Sequence, residues 1–148
     1  MKIQTILVPT DFSENSSAGV EHARDLARRF KARVVLCHVS PSAERLVLYG
    51  PPPAHLPKDL EDAVVEGVER GFAEVKDRFD ASDDVTTVHL RGEPAAELVE
   101  HANKHRVDMI VMSTHGRTGL GHLVLGSVAE RVVRTASCPV LTVKPTTS

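Results

Sequence analysis

Strand-like and helix-like segments alternate along the chain, and this alternation limits the folds that the sequence can adopt. Five short runs rich in β-branched and other apolar residues predict strands, over residues 3–9, 33–39, 85–90, 107–113 and 139–144. The second run, RVVLCHV, is apolar over most of its length, which is typical of a strand that is covered on both faces. Strands that alternate with helices favour a parallel sheet.

Helical periodicity fills the intervals between these runs. Val20, Ala23, Ala27 and Phe30 recur at the three- to four-residue spacing of one helix face. Ser13 precedes them and is a suitable N-cap for that helix. Three further helices are predicted, over residues 60–79, 94–102 and 127–136.

The expected fold is an α/β domain with an open five-stranded parallel sheet, doubly wound in the Rossmann-like manner with helices on both faces. We expect the strand order 3-2-1-4-5. We also expect a single domain over residues 1–148, because the sequence contains neither a repeat nor an interdomain linker. Ligands of such sheets bind beyond the carboxyl ends of the strands, where the winding reverses. Residues 9–11 are therefore expected to face the segment that starts at Ser113.

Charge and aromatic content argue against two classes of partner. A net charge of −2 provides no basic surface for nucleic acid, and four Phe, one Tyr and no Trp leave few rings on which bases could stack. No apolar run approaches the roughly 18 residues of a membrane span, and the N-terminal residues lack a signal-peptide pattern. We therefore expect a cytoplasmic protein without nucleic acid or membrane partners.

Two pairs of side chains resemble metal or redox motifs but are better explained structurally. Cys37 and Cys138 lie in separate apolar runs, so two buried thiols are expected. His101 and His105 lie four residues apart on a predicted helix, a spacing that can bind metal. No third ligand is evident near them, so we expect a solvated helix edge.

The segment STHGRTGLGHLVLGS, residues 113–127, contains four glycines between a predicted strand and a predicted helix. Ser127 and Glu130 fit the S-x-x-E capping box, so the helix is expected to begin at Gly126–Ser127 with its free N–H groups available to a phosphate. Plain turn chemistry explains the glycines equally well. Neither a P-loop nor a G-x-G-x-x-G dinucleotide motif is present.

The chain resembles the universal stress protein family along nearly its whole length. The resemblance rests on ILVPTDFSENS near the start, VVLCHV in the second strand, GEP before the third helix and DMIVMSTHGRTGLGHLVLGSVAERVVRTASCPVLTVK near the end. The nucleotide-binding branch of that family carries G-x-x-G, nine residues and then G-[ST]. Gly116, the nine residues after it and Gly126–Ser127 match the second half of this motif, whereas Ser113 stands in place of its first glycine.

This resemblance implies a site for ATP, or for ADP or AMP, with or without Mg²⁺. Asp11 would lie near the ribose, Pro9 and Thr10 beside the base, and Val39 at the border of the adenine. The implied contacts after the fourth strand are Met112, Ser113, His115 and Gly116, with Gly126, Ser127 and Val128 around the phosphates. Taken singly, Asp11 is also explained as a helix-capping acid, and Val39 as strand-end packing.

Ser113 is the departure from the family motif. Its side chain either obstructs the approach of the backbone to the ligand or donates its hydroxyl to a phosphate. The substitution Ser113→Gly restores the motif and is expected to tighten binding.

Three functions are compatible with these features. The first is an adenine-nucleotide-binding stress protein that acts as a regulatory binding module. The second is a slow ATP hydrolase or phosphotransfer protein, against which the absence of a P-loop lysine and of an obvious acidic pair for Mg²⁺ both argue. The third is a nucleotide-free homodimeric interaction protein. A homodimer is expected in each case, because the resemblance implies that the predicted edge strand 139–144 pairs with its copy across a two-fold axis.

Overall fold

The computed structural model describes residues 2–42, 58–115 and 125–145. Strands and helices alternate strictly in this part of the chain. The strands are β1 (Thr5–Pro9), β2 (Arg33–Ser40), β3 (Val85–Arg91), β4 (Met109–Ser113) and β5 (Val140–Val143). The helices are α1 (Glu14–Phe30), α2 (Lys58–Lys76), α3 (Pro94–Lys104) and α4 (Ser127–Thr135).

The five strands form one parallel sheet in the order β3-β2-β1-β4-β5, which confirms the predicted fold and strand order. Leu7 in β1 pairs with Val35 of β2 on one side and with Ile110 of β4 on the other. The chain therefore winds in one direction from β1 to β3 and in the other from β4 to β5. The carboxyl ends of β1 and β4 lie side by side at the reversal, where sheets of this kind bind their ligands.

Two apolar layers, one on each face of the sheet, form the core. Successive strand residues point to opposite faces, so Val111 belongs to one layer and Met112 to the other. α1 and α2 cover the first face through Val20, Ala23, Ala27, Val68, Phe72 and Val75. α3 and α4 cover the second face through Ala95, Leu98, Ala102, Ala129 and Val132.

The start of α1 agrees with the sequence prediction and its end does not. Ser13 is the N-cap, and its side chain accepts from the N–H of Ser16. Phe30, expected on the buried face, is 46% exposed. It is the last residue of the helix, and the chain leaves the helix immediately afterwards at Lys31, which has a left-handed φ of 55°.

The predicted start of α4 at Gly126–Ser127 is confirmed, but the predicted capping box of Ser127 and Glu130 is wrong. Gly126 is the N-cap and Ser127 is the first helical residue, because the carbonyl of Gly126 already accepts the N–H of Glu130 at 2.8 Å. Gly126 has no side chain with which to cap the helix. Glu130 instead pairs with Arg134 one turn later, at 2.6 Å.

The two thiols differ in burial. Cys37 is fully buried, as expected, whereas Cys138 is only half-buried, and both are free. Burial raises the pKa of Cys37 from 9.0 to about 12, with a smaller contribution from the charge of Glu97. None of the helices within the described ranges is long and apolar enough to cross a membrane.

Candidate functional site

A cleft of about 290 Å³ opens at the carboxyl ends of β1, β2 and β4. Ten of the predicted site residues line it: Pro9, Thr10, Asp11, Val39, Met112, Ser113, His115, Gly126, Ser127 and Val128. The other predicted residue, Gly116, lies outside the described residues. The structure thus brings these residues together, while their roles toward a ligand stay predictions.

Further lining residues were missed in the sequence: Ser16, Cys37, His38, Pro94, Leu98, Thr114 and Ala129. Most of them are chain neighbours of predicted residues. Pro94 and Leu98 are different, because they belong to α3 and reach the cleft only through the packing of that helix over the sheet. The GEP motif before α3 was the one local signal that this segment bears on the site.

One side of the cleft is an apolar slot. Cys37 and Met112 point from the sheet toward the layer that contains Leu98 and Ala129, and Val39 packs against the same layer. An apolar slot with few polar groups at its ends is the usual form of a site for a flat organic ring.

The turn between β1 and α1 forms the polar end of the cleft. Asp11 Oδ1 accepts two hydrogen bonds from Ser13, from its N–H at 3.0 Å and from its hydroxyl at 2.5 Å. Thr10 Oγ1 accepts the N–H of Phe12 at 3.0 Å. Asp11 is therefore not the N-cap of α1. It orients Ser13, which is the N-cap.

Phe12 holds this turn in place from the opposite side. Its φ of 63° is a left-handed conformation that is strained for a bulky residue. The ring stacks on His38 with centroids 4.5 Å apart, and it lies against Gly71 of α2. A Cβ on Gly71 would come within 2.7 Å of the Phe12 ring, so the ring occupies the space that a side chain there would need.

His38 connects the turn to β2, and His89 of β3 bonds to the end of β2. His38 Nδ1 lies 2.8 Å from the carbonyl oxygen of Thr10, and since a carbonyl only accepts, this nitrogen carries the proton. His89 Nε2 bonds to the hydroxyl of Ser40 at 2.8 Å. Burial, followed by the nearby His38 and Arg91, lowers the pKa of His89 and favours its neutral form.

Ser113 points away from the slot. Its hydroxyl donates to the carbonyl of Asn15 at 2.7 Å and accepts the N–H of Gly19 at 3.2 Å. The sequence led us to expect that this side chain either obstructs the ligand or donates to a phosphate. The structure shows neither arrangement, because neighbouring strand residues face opposite sides of the sheet and Met112 faces the slot. The hydroxyl is thus engaged by α1, on the other face of the sheet.

The segment that follows β4 is held close to the start of α4. The N–H of Gly126 donates to the carbonyl of Thr114 at 2.8 Å, and a Cβ on Gly126 would lie 2.8 Å from that oxygen. Thr114 Oγ1 bonds to His115 Nδ1 at 2.8 Å. His115 Nε2 is buried and has no hydrogen-bond partner among the described residues.

Across residues 2–42, 58–115 and 125–145, no three His, Cys, Asp or Glu side chains are grouped closely enough to hold a metal ion. The rings of His101 and His105 lie with centroids 4.2 Å apart on α3. Burial and the neighbouring His105 and Lys104 lower the pKa of His101.

A doubly wound parallel sheet, with a largely apolar cleft at the reversal of winding, defines a Rossmann-like α/β protein with a candidate ligand site at its switch point. The sequence profile of the universal stress protein family matches residues 2–144. The chain belongs to that family.

Curated relatives and solved structures agree with this assignment. Universal stress protein MJ0531 of Methanocaldococcus jannaschii is 37% identical over 140 residues, which cover 94% of this chain and 81% of the relative. Universal stress protein MJ0577 of the same organism is 32% identical, over 94% of this chain and 93% of the relative. The solved structure of MJ0577 superposes with a TM-score of 0.85 at 30% identity and covers 100% of both chains. A universal stress protein from Archaeoglobus fulgidus in complex with dAMP has a TM-score of 0.65 at 21% identity, over 96% of this chain and 98% of that one, and shows the same fold.

Proposed function

We propose that this protein binds an adenine nucleotide in the cleft, with ATP as the first candidate and ADP or AMP as alternatives, and acts as a regulatory module of a stress response. The observation that carries the proposal is the arrangement of the cleft. An apolar slot formed by Val39, Leu98 and Met112 lies between the Asp11 turn and the start of α4. A base would occupy the slot, the ribose hydroxyls would donate to Asp11, and the phosphates would lie at α4.

The start of α4 supports the phosphate end of this proposal. The first N–H groups of a helix have no partner within the helix, and the helix dipole favours an anion there. Gly126 offers those groups no side-chain acceptor. His115 lines the same cleft, and a rotation of its ring that exposed the buried, unpartnered Nε2 would provide a donor to a phosphate oxygen.

The family also supports an adenine nucleotide as the ligand class. Gly116 and Gly126–Ser127 match the second half of the motif of the nucleotide-binding branch. Two universal stress proteins of this fold are described as complexes, one with dAMP and one with cAMP.

Binding is favoured over turnover. Asp11 is the single carboxylate among the described residues that line the cleft. Efficient phosphoryl transfer relies on carboxylates that hold Mg²⁺ and on a cation at the transferred phosphate. We therefore propose a binding module, with any Mg²⁺ held mainly by the nucleotide phosphates.

A thermal shift with nucleotide-stripped protein tests this function. A ligand that binds only the folded state stabilises it by about 2.7 kcal/mol at a hundredfold excess over Kd. For a chain of this length, that corresponds to a rise in Tm of about 5–10 °C. GTP should give a smaller shift, because guanine carries an additional N–H and a carbonyl oxygen that the apolar slot of Val39, Leu98 and Met112 would leave unpaired. Asp11→Ala should also give a smaller shift with ATP. An unchanged melting curve across millimolar ATP and ADP would instead favour a nucleotide-free interaction protein.

We further propose a homodimer formed through β5. This strand pairs with β4 on one side and forms an edge of the sheet on the other. Leu141 in the middle of it is 37% exposed, and no charged residue lies within Val140–Val143. Exposed apolar edges are generally covered or paired, and a second copy of the same strand offers a matching partner.

A further inference from the structure

We propose that Ser113 is a positioning residue, whose hydroxyl fixes the first turn of α1 against the end of β4 and thereby sets the position of Asp11 in the cleft. This inference rests on the proposed nucleotide function of the same cleft. It assigns to Ser113 a role across the sheet rather than a contact with a phosphate.

The hydroxyl of Ser113 joins two successive turns of α1. It donates to the carbonyl of Asn15 at 2.7 Å and accepts from the N–H of Gly19, one turn further along, at 3.2 Å. Ser113 is only 8% exposed, so neither bond competes with bulk water. Two hydrogen bonds from one buried hydroxyl hold α1 at a defined height along β4, because a shift of the helix would lengthen both of them.

The backbones of α1 and β4 approach each other closely enough for this contact. A Cβ on Gly19 would lie 2.9 Å from the N atom of Ser113 and 3.1 Å from the carbonyl carbon of Met112. The helix therefore rests directly on the strand backbone at this point. A serine side chain is short enough to bond the helix without pushing it away.

The first turn of α1 connects this contact to the cleft, along the backbone from Asn15 to Ser13 and then through hydrogen bonds. Asn15 lies two residues after the N-cap Ser13, and both the N–H and the hydroxyl of Ser13 donate to Asp11 Oδ1. Ser16 Oγ donates to the carbonyl of Ser13 at 2.8 Å and lies 3.1 Å from Thr10 Oγ1. A displacement of the first turn of α1 thus changes the position of the Asp11 carboxylate directly.

Ser113 therefore positions Asp11 in a way that the family glycine cannot. Ser113→Gly should weaken nucleotide binding, which is the reverse of the expectation from the sequence. Glycine at this position has no group that can bond Asn15 or Gly19. The first turn of α1 would then lose its side-chain hydrogen bonds to the end of β4. A less ordered Asp11 binds the ribose less well, because the nucleotide has to order the carboxylate when it binds.

Calorimetry on nucleotide-stripped protein tests the proposal with four variants: Ser113→Ala, Ser113→Gly, Asp11→Ala and the double variant Asp11→Ala/Ser113→Ala. Both single changes at Ser113 should raise the Kd for ATP by about 3- to 10-fold, which is the effect of one lost hydrogen bond. In the Asp11→Ala background, Ser113→Ala should have almost no effect on Kd, because the carboxylate that it positions is absent.

Ser40→Ala is the matched control. Ser40 is as buried as Ser113, at 7%, also ends a strand, and bonds His89 through its hydroxyl, but it does not line the cleft. Its substitution should lower Tm and leave the Kd for ATP unchanged. Amide exchange of the ligand-free protein gives a second readout that does not depend on binding. Ser113→Ala should accelerate exchange at Gly19 relative to Val34, at the centre of the sheet.

The outcomes separate this inference from the proposed function. If the wild-type protein binds no nucleotide, the proposed function is wrong and the inference is overturned with it. If the wild-type protein binds ATP but Ser113→Gly binds more tightly and Ser113→Ala equally well, the serine obstructs the ligand and only the inference is overturned. An equal effect of Ser113→Ala with and without the Asp11 carboxylate, or unchanged exchange at Gly19, would also overturn it.

Discussion

Two glycines differ sharply in the space around them. Gly126 lies so close to Thr114 that a Cβ would approach its carbonyl oxygen to 2.8 Å, whereas Gly67 on α2 has nothing within 4 Å. Gly126→Ala should therefore destabilise the protein by about 1–3 kcal/mol and weaken ATP binding, because the start of α4 has to move away from Thr114. Gly67→Ala should stabilise it by about 0.5–1 kcal/mol, since alanine is the better helix former. Urea unfolding measures the stability of the two variants, and calorimetry measures their affinity for ATP. Equal stability of the two variants would contradict the close approach at Gly126.

Cys37 gives the protein a specific sensitivity to alkaline pH. Because burial raises the pKa of its thiol from 9.0 to about 12, the folded state keeps a proton that the unfolded state loses. The contribution of the protonated Cys37 thiol to the stability of the folded state is complete below pH 9 and is lost as the pH rises toward 12. Between these values, the free energy of unfolding of wild-type protein should fall by about 1.4 kcal/mol per pH unit more than that of Cys37→Ala. Urea unfolding at pH 8, 9, 10 and 11 measures the difference, and parallel pH profiles for the two proteins would refute it.

At the scale of elements, α1 is positioned by backbone contact, and a single methyl group should displace it. Gly19→Ala places a Cβ 2.9 Å from the N atom of Ser113, which forces the helix off β4. We expect a loss of about 1–3 kcal/mol in stability together with weaker ATP binding. Ala23→Gly, on the same buried face of α1, is the control, because it loosens the packing without forcing the helix away from the strand. It should lower Tm with a smaller effect on the Kd for ATP. If Gly19→Ala kept wild-type affinity, the height of α1 on the strand would not matter for the cleft.

The elements also differ in how far their sequences predicted them. Alternation predicted the parallel sheet, but right-handed crossovers alone still allow more than one order of five strands. The expected order 3-2-1-4-5 is confirmed by the structure. Ser13 was identified as a cap because capping depends on a few neighbouring residues. The capping box was wrong, because Gly126 takes the N-cap position and Ser127 is already the first helical residue. Leu98 could not be placed in the cleft, because its position depends on how α3 lies over the sheet. The orientation of Ser113 was predictable in principle from its alternation with Met112.

At the scale of the whole molecule, β5 forms an apolar edge of the sheet, and β3 forms the opposite edge. Light scattering at micromolar concentration should report a dimer, and Leu141→Lys should shift it to the monomer by placing a charge on the exposed edge. Leu60→Lys is the matched control, because Leu60 is also an exposed leucine, at 49% against 37% for Leu141, but lies on α2. It should leave the dimer intact. A monomeric wild-type protein, or equal effects of both lysines, would refute pairing through β5.

The ring of Phe12 fills the space that a side chain at Gly71 would occupy, so the two positions are expected to covary. A larger residue at 71 is compatible with this fold only if residue 12 becomes smaller, and a smaller residue at 12 removes the stack on His38 that holds the left-handed turn. Substitutions at the two positions should therefore occur together in descendants of this sequence. A lineage that changes Gly71 alone should have abandoned the turn that carries Asp11, and with it the ribose end of the cleft.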